Sequence, residues 1–81
     1  MNFSEALTLL KKGNRIYRKG WNGKNLWVVI KFPTSPISQV PHIYMKTKEN
    51  EYVPWSASQT DILANDWEIV KKNQMEYFIL D

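Results

Sequence analysis

The stretch RIYRKGWNGKNLWVVI, residues 15–30, decides the fold because it contains two strand-like segments joined by a glycine-bracketed turn. Residues 15–18 alternate in the way that a half-buried strand does. Residues 26–30 are apolar and rich in β-branched side chains, which is typical of a buried strand. Gly20 and Gly23 let the chain between them turn tightly. This hairpin predicts a sheet that the other segments extend.

A capped helix is predicted before the hairpin. Asn2 and Glu5 have the spacing of a capping box, and the apolar side chains of residues 3–10 fall on one helical face. Gly13 is placed to end the helix, since glycine adopts the left-handed conformation found after many helices. We therefore predict a helix over residues 3–12.

Further strands and a short helix are predicted after the hairpin. Proline cannot donate to a strand ladder, so we expect Pro54 to cut its strand short. The Ser-Gln-Thr-Asp sequence at residues 58–61 resembles a second capping box and predicts a short helix near residues 58–65. The chain is therefore expected to be α+β, a small and mostly antiparallel sheet with one N-terminal helix and one short helix. The predicted additional strands are residues 42–46, 51–53, 67–70 and 77–80.

The composition limits the class of protein and its partners. The 81 residues suffice for one domain, residues 1–81, and without cysteine there is neither a disulfide nor a thiolate metal site. A net charge of +3 is mild beside the dense basic stripe of duplex DNA binders, so nucleic acid is not an expected partner. No signal peptide and no bilayer-length apolar run is visible, so we expect a cytoplasmic protein with no membrane partner.

Residues 18–24, the sequence RKGWNGK, place a large ring among cations in a tight turn. An exposed Trp21 would offer its ring to a flat ligand, and Arg18, Lys19 and Lys24 could meet phosphate or carboxylate oxygens. The alternative is a hairpin corner in which Trp21 fills the core and the charges face solvent. The sequence alone leaves both interpretations open.

A second polar cluster follows residue 54, where a strand ends and the short helix begins. Free N–H groups at a helix N-terminus suit a phosphate, and the side chains here could read ribose hydroxyls or a base edge. Alternatively, the polar side chains only cap the helix. Trp55 fits either interpretation, whereas Trp67 lies inside a predicted strand and is expected in the core. The polar candidates are Ser58, Gln59, Thr60 and Asp61.

No strong catalytic constellation is found in the sequence. His42 is the single histidine, so it has no second histidine or cysteine with which to bind a metal. No serine lies in a glycine elbow, and no phosphate-binding GxxxxGK[ST] loop is present. We therefore expect no enzyme activity, no cofactor and no metal.

The chain resembles a family of small phage and prophage proteins that includes the second type of Thoeris anti-defence protein. The resemblance covers residues 1–71 and leaves the tail, residues 73–81, outside it. The motifs that carry it are residues 2–7, 18–24, 44–47 and 53–67.

The resemblance implies a sponge for a signalling nucleotide. In Thoeris defence a TIR-domain protein makes a cyclic ADP-ribose signal that activates a lethal effector. The resemblance implies that the anti-defence proteins bind this signal without cleaving it. The resemblance also implies a homotetramer with pockets between subunits and extends the expected ligands to cyclic dinucleotides. The alternative is an oligomeric protein-interaction or structural module with no nucleotide ligand.

The site residues that the resemblance implies fall into two groups. Trp21 and Trp27 are the stacking candidates, and Arg18 is the expected phosphate partner. Around the two rings lie Asn22, Gly23 and Lys24, and the polar wall comprises Trp55, Ser58, Gln59, Thr60 and Asp61.

Overall fold

The computed structural model describes residues 1–21, 25–32 and 40–71, and these form two helices and five strands. The expected α+β class is confirmed. The predicted strand over residues 77–80 lies outside the described residues. In chain order the elements are α1 (Phe3–Lys11), β1 (Ile16–Arg18), β2 (Trp27–Lys31), β3 (His42–Lys46), β4 (Tyr52–Pro54), α2 (Gln59–Leu63) and β5 (Trp67–Ile69).

Helix α1 begins and ends by the local signals seen in the sequence. The Asn2 side chain accepts the Glu5 N–H at 2.9 Å, and the Glu5 side chain accepts the Asn2 N–H at 3.1 Å. The helix ends at Lys11, one residue earlier than predicted, and Gly13 follows with a φ of 95°. Glycine suits this left-handed conformation because it has no Cβ to clash with the backbone.

The five strands form one antiparallel sheet in the order β4-β3-β2-β1-β5. β2 and β3 pair along their full length, from Trp27 opposite Lys46 to Lys31 opposite His42. β4 contains Pro54 as its last residue, whereas the sequence predicted that the strand would end before it. An edge strand accommodates a proline because N–H groups that point away from the sheet are not needed for pairing.

The two faces of the sheet carry separate apolar clusters. α1 packs against β5, β2 and β1 on one face. On the other face Trp27, Val29 and Val70 are buried together, with Tyr17 packed against them. Successive strand residues point to opposite faces, so Val28 joins one cluster while its neighbours Trp27 and Val29 join the other. The fully buried residues on the α1 face are Ala6, Leu10, Ile16, Val28 and Trp67.

Helix α2 is short and begins at a capping box. The Asp61 N–H donates to Ser58 Oγ at 3.0 Å, and the Ser58 N–H donates to Asp61 Oδ2 at 3.1 Å. The predicted second capping box is therefore confirmed. The residues after α2 lead directly into β5, which pairs with β1. Helix α2 therefore lies near the end of β1, where Arg18 donates a hydrogen bond to Asp61.

Candidate functional site

Three tryptophans from distant parts of the chain meet beside the end of β1. Trp21 and Trp55 have ring centroids 6.3 Å apart, and Trp67 lies 5.3 Å from Trp21 and 6.1 Å from Trp55. All three pairs are edge-on, which is a favourable geometry for aromatic rings. Trp67 is fully buried, as predicted, whereas Trp21 and Trp55 are half-buried. The two half-buried rings therefore pack on the core and keep part of their surface exposed.

An ion-pair cluster lies next to these rings. Arg18 Nε donates to Asp66 Oδ1 at 2.8 Å, and Arg18 NH1 donates to Asp61 Oδ1 at 2.9 Å. A third, longer bond runs from Arg18 NH2 to Asp66 Oδ2 at 3.4 Å. The Arg18 side chain is 15% exposed, so its guanidinium group is held in a partly dry environment between two carboxylates. These contacts connect the end of β1 to α2 and to the residue before β5.

Asp61 connects the rings, the cation and the helix cap. Besides Arg18, its Oδ1 accepts the indole N–H of Trp21 at 3.3 Å. Its backbone carbonyl accepts the indole N–H of Trp67 at 2.9 Å. Because the same side chain also caps α2 through Ser58, a change at Asp61 would disturb the helix and the ring cluster together.

The ionisation of this cluster follows from its contacts. The hydrogen bonds that Arg18 donates to Asp66, and then to Asp61, raise the pKa of Arg18. Burial by itself would raise the pKa of Asp61, but hydrogen bonds from Arg18, the Ser58 backbone and Trp21 lower it overall, below 3.8. The hydrogen bond from Arg18 is the largest cause that lowers the pKa of Asp66. All three groups are therefore charged at neutral pH, and together they carry a net charge of −1.

Asp66 is a residue of this site that the sequence did not single out as a site residue. Its Oδ2 accepts the backbone N–H of Gly20 at 2.9 Å, and its backbone carbonyl accepts that of Lys19 at 3.1 Å. The only local signal was its place in the motif of residues 53–67, where it precedes a strand tryptophan. Its partners lie more than forty residues away, so spacing along the chain could not reveal them.

The structure brings together some of the predicted site residues and separates others. Arg18, Trp21 and Trp55 lie with Asp61 in the cluster just described, and Ser58 caps the helix beside them. Gln59 and Thr60 are exposed on the first turn of α2. Residues 22–24, which include the predicted Asn22, Gly23 and Lys24, lie outside the described residues.

Trp27 lies on the opposite face of the sheet from Trp21. It is 4% exposed, and Lys46 Nζ lies 4.4 Å from its ring centroid. The Arg15 guanidinium carbon lies 5.9 Å from the same ring. Lys46 Nζ also donates to the carbonyl of Asn25 at 2.7 Å. The two stacking candidates, Trp21 and Trp27, therefore lie in different clusters of a single chain.

Groups that could hold a metal ion are not clustered in the part of the chain that the structure describes. No three acidic, histidine or cysteine side chains there come together as a possible metal site. His42 is exposed at the start of β3, with its Nδ1 2.9 Å from the Val40 carbonyl. The helices formed by the described residues are too short and too polar to cross a membrane.

The fold and this cluster define a small α+β protein in which indole rings, a guanidinium group and a helix cap lie together. Residues 1–70 match the model of the Thoeris anti-defense 2-like domain. The chain is also 39% identical over 84 aligned positions to Thoeris anti-defense 2 of Bacillus phage SP01, and the match covers 86% of this chain and 94% of that protein. The chain therefore belongs to the Thoeris anti-defense 2-like family, as the resemblance predicted. Membership supports a phage anti-defence role against Thoeris and is consistent with a non-catalytic protein.

Proposed function

We propose that this protein is a sponge that binds and sequesters a cyclic ADP-ribose-type nucleotide without cleaving it, and so blocks Thoeris immunity in the host cytoplasm. The observation that carries the proposal is the pair of half-buried rings, Trp21 and Trp55, beside the guanidinium group of Arg18. Family membership supports it, since the relative from Bacillus phage SP01 is named for Thoeris anti-defence.

The proposed ligand has three kinds of group, and the cluster offers a counterpart for each. The exposed surface of Trp21 or Trp55 would stack on adenine, and such a contact is worth about 1–3 kcal/mol. A guanidinium group has five N–H groups. Arg18 donates three of them to the aspartates, one each from Nε, NH1 and NH2, so two are not used in these bonds. Those two groups would donate to the pyrophosphate. The exposed Gln59 and Thr60 side chains would bond to ribose hydroxyls.

Binding without cleavage is supported by the state of the two carboxylates. Breaking a glycosidic or pyrophosphate bond by covalent or acid–base catalysis uses a nucleophile or a group that exchanges a proton with the substrate. Asp61 and Asp66 are instead charged acceptors of hydrogen bonds from Arg18, and Asp61 also caps α2. Both therefore hold the structure in place.

The test is recovery of the ligand after binding. The protein is mixed with a cyclic ADP-ribose made by a TIR-domain protein, separated from free ligand and then heated. We expect the nucleotide to return to solution chemically unchanged, in an amount proportional to the number of ligand-binding sites. A hydrolysis product that accumulates beyond one equivalent of protein would show an enzyme and overturn the sponge. A cyclic dinucleotide in the same assay tests the second expected ligand.

The proposed assembly is a homotetramer built as a dimer of dimers. A domain of this size leaves much of its surface exposed, and several exposed side chains are large and apolar. Trp27 would join a pocket with Trp21 only across a subunit boundary, since the two lie on opposite faces of one chain. Light scattering that gives the monomer mass of 9.6 kDa at micromolar concentration would contradict this assembly. Among the residues that the structure describes, the large apolar side chains that are exposed are Phe32, Val40, Tyr52, Val53, Ile62 and Leu63.

The second candidate function is a protein-interaction or structural module with no nucleotide ligand. The exposure of Leu63, 77%, and of its neighbour Ile62 on α2 favours it, because exposed apolar side chains on one short helix suit a protein contact. An oligomer that forms normally and retains neither cyclic ADP-ribose nor a cyclic dinucleotide after gel filtration would select this candidate.

A further inference from the structure

The turn that carries Trp21 is held by one residue from a distant part of the chain, Asp66. The Asp66 carboxylate accepts hydrogen bonds from the side chain of Arg18 and from the N–H of Gly20, and the backbone carbonyl of Asp66 accepts the N–H of Lys19 between them. The turn is closed by the Trp21 N–H, which donates to the Arg18 carbonyl at 3.2 Å. The backbone that leads into Trp21 is therefore held in part by the Asp66 side chain.

Space at Gly20 shows how closely the carboxylate fits the turn. A Cβ atom built on Gly20 would lie 2.7 Å from Asp66 Oδ2, which is closer than real Cβ contacts. The φ angle of Gly20 is not in the left-handed region, so its backbone conformation suits other residues as well. A larger residue here would displace the Asp66 side chain or the turn, because the Asp66 oxygen occupies the space of a side chain. The Gly20 N–H donates to that oxygen at 2.9 Å.

We propose that Asp66 is a positioning residue for the ligand site: it fixes the Gly20–Trp21 turn and the Arg18 guanidinium group in the arrangement that receives the ligand. This inference rests on the proposed function. The Asp66 side chain is 32% exposed, and its contacts are made to the backbone of the turn and to Arg18. It acts through Trp21 and Arg18, and direct contact with the nucleotide is not required of it.

The chain offers a matched control for the charge of Asp66. Glu68 lies two residues further on and pairs with Lys19 at 3.0 Å, and both partners of that pair are more exposed than Arg18. Asp66→Asn and Glu68→Gln each remove one negative charge. If Asp66 acted only through its charge, both substitutions would strengthen the binding of an anionic nucleotide, because each removes repulsion. Positioning predicts the opposite sign for Asp66→Asn.

The experiment measures binding of the TIR-produced cyclic ADP-ribose by calorimetry, at a temperature where each variant is folded. We expect Asp66→Asn to weaken binding at least tenfold and Glu68→Gln to change it by less than about twofold. Equal or tighter binding by Asp66→Asn would overturn the inference.

A second measurement follows the ring itself and needs no ligand. The protein is labelled with 5-fluorotryptophan, and the Trp21 resonance is assigned with Trp21→Phe. We expect Asp66→Asn to shift or broaden this resonance while Glu68→Gln leaves it in place. An unchanged Trp21 resonance in Asp66→Asn would overturn the positioning role even if binding were weaker.

A double-mutant cycle tests the contact with Gly20. Gly20→Ala should lower the melting temperature strongly in the wild-type chain and much less in an Asp66→Ala background, because the oxygen that meets the new Cβ is gone. Equal effects in both backgrounds would contradict the inference. If the wild-type protein bound no nucleotide, the proposed function would fail, and the fluorine spectra and this cycle would still decide whether Asp66 positions the turn.

Discussion

Replacement of Trp21 by alanine separates a binding role from a packing role. In the structure this ring makes two edge-on contacts, with Trp55 and Trp67, and its N–H donates to Asp61 at 3.3 Å. The aromatic contacts are worth about 0.5–1.5 kcal/mol each, and a hydrogen bond to a charged group is worth roughly 1.5–3 kcal/mol. Because Trp21 is half-buried and its hydrogen bond is long, we expect a loss of stability of about 2–4 kcal/mol.

The two effects of this substitution can be measured on one preparation. For a domain of this size each 1 kcal/mol lowers the melting temperature by about 4–8 °C, so Trp21→Ala should melt roughly 10–30 °C lower. Loss of a stacked base should raise the dissociation constant about fivefold to 150-fold, measured by calorimetry well below the new melting temperature. Trp21→Phe keeps a ring without the N–H, so it should recover part of the affinity.

Leu10→Ala is the control for stability alone. Leu10 is fully buried on α1, and its truncation should cost about 2–5 kcal/mol. It should therefore destabilise the protein as much as Trp21→Ala does and bind the nucleotide normally while folded. If Trp21→Ala also melted lower and bound normally, Trp21 would belong to the core only, and the main support for the sponge would be lost.

Substitutions at three further positions test the framework of the protein. Folding lowers the pKa of Asp61, so the charge of Asp61 stabilises the fold above the unfolded pKa of about 3.9. This contribution is lost as the pH falls through the lower pKa of the folded state. The urea midpoint should therefore fall less between pH 7 and pH 3 in Asp61→Asn than in the wild type. Ser58→Ala removes the cap of α2 and should cost about 0.5–2 kcal/mol in urea denaturation, whereas no change would show that the helix does not depend on its capping box. Gly13→Ala should lower the free energy of unfolding by about 1–2 kcal/mol through the φ of 95° alone, because an added Cβ would lie in open space. Gly13→Asn should lower it less.

The sequence alone determined the elements whose signals are local. Both capping boxes join residues three apart, Asn2 with Glu5 and Ser58 with Asp61, and each formed as predicted. The five strands of the described residues were predicted for the same reason, since alternation and β-branched runs are patterns of neighbouring residues. The predicted boundaries of the described strands were wrong by no more than one residue. β4 includes Pro54 because the sheet order makes it an edge strand, which the sequence alone does not show.

The tertiary structure alone decided which side chains meet. Arg18 was expected to contact a ligand phosphate, and the fold pairs it with two aspartates that lie 43 and 48 residues away. Trp21 and Trp27 are close in sequence, yet they belong to clusters on opposite faces of the sheet. A residue's face and its distant neighbours depend on strand register and strand order, and both are fixed by packing of the whole chain. Local pattern therefore determined where the helices and strands lie along the chain. Only their assembly brought Asp61 and Asp66 to the Arg18 guanidinium group, beside the ring of Trp21.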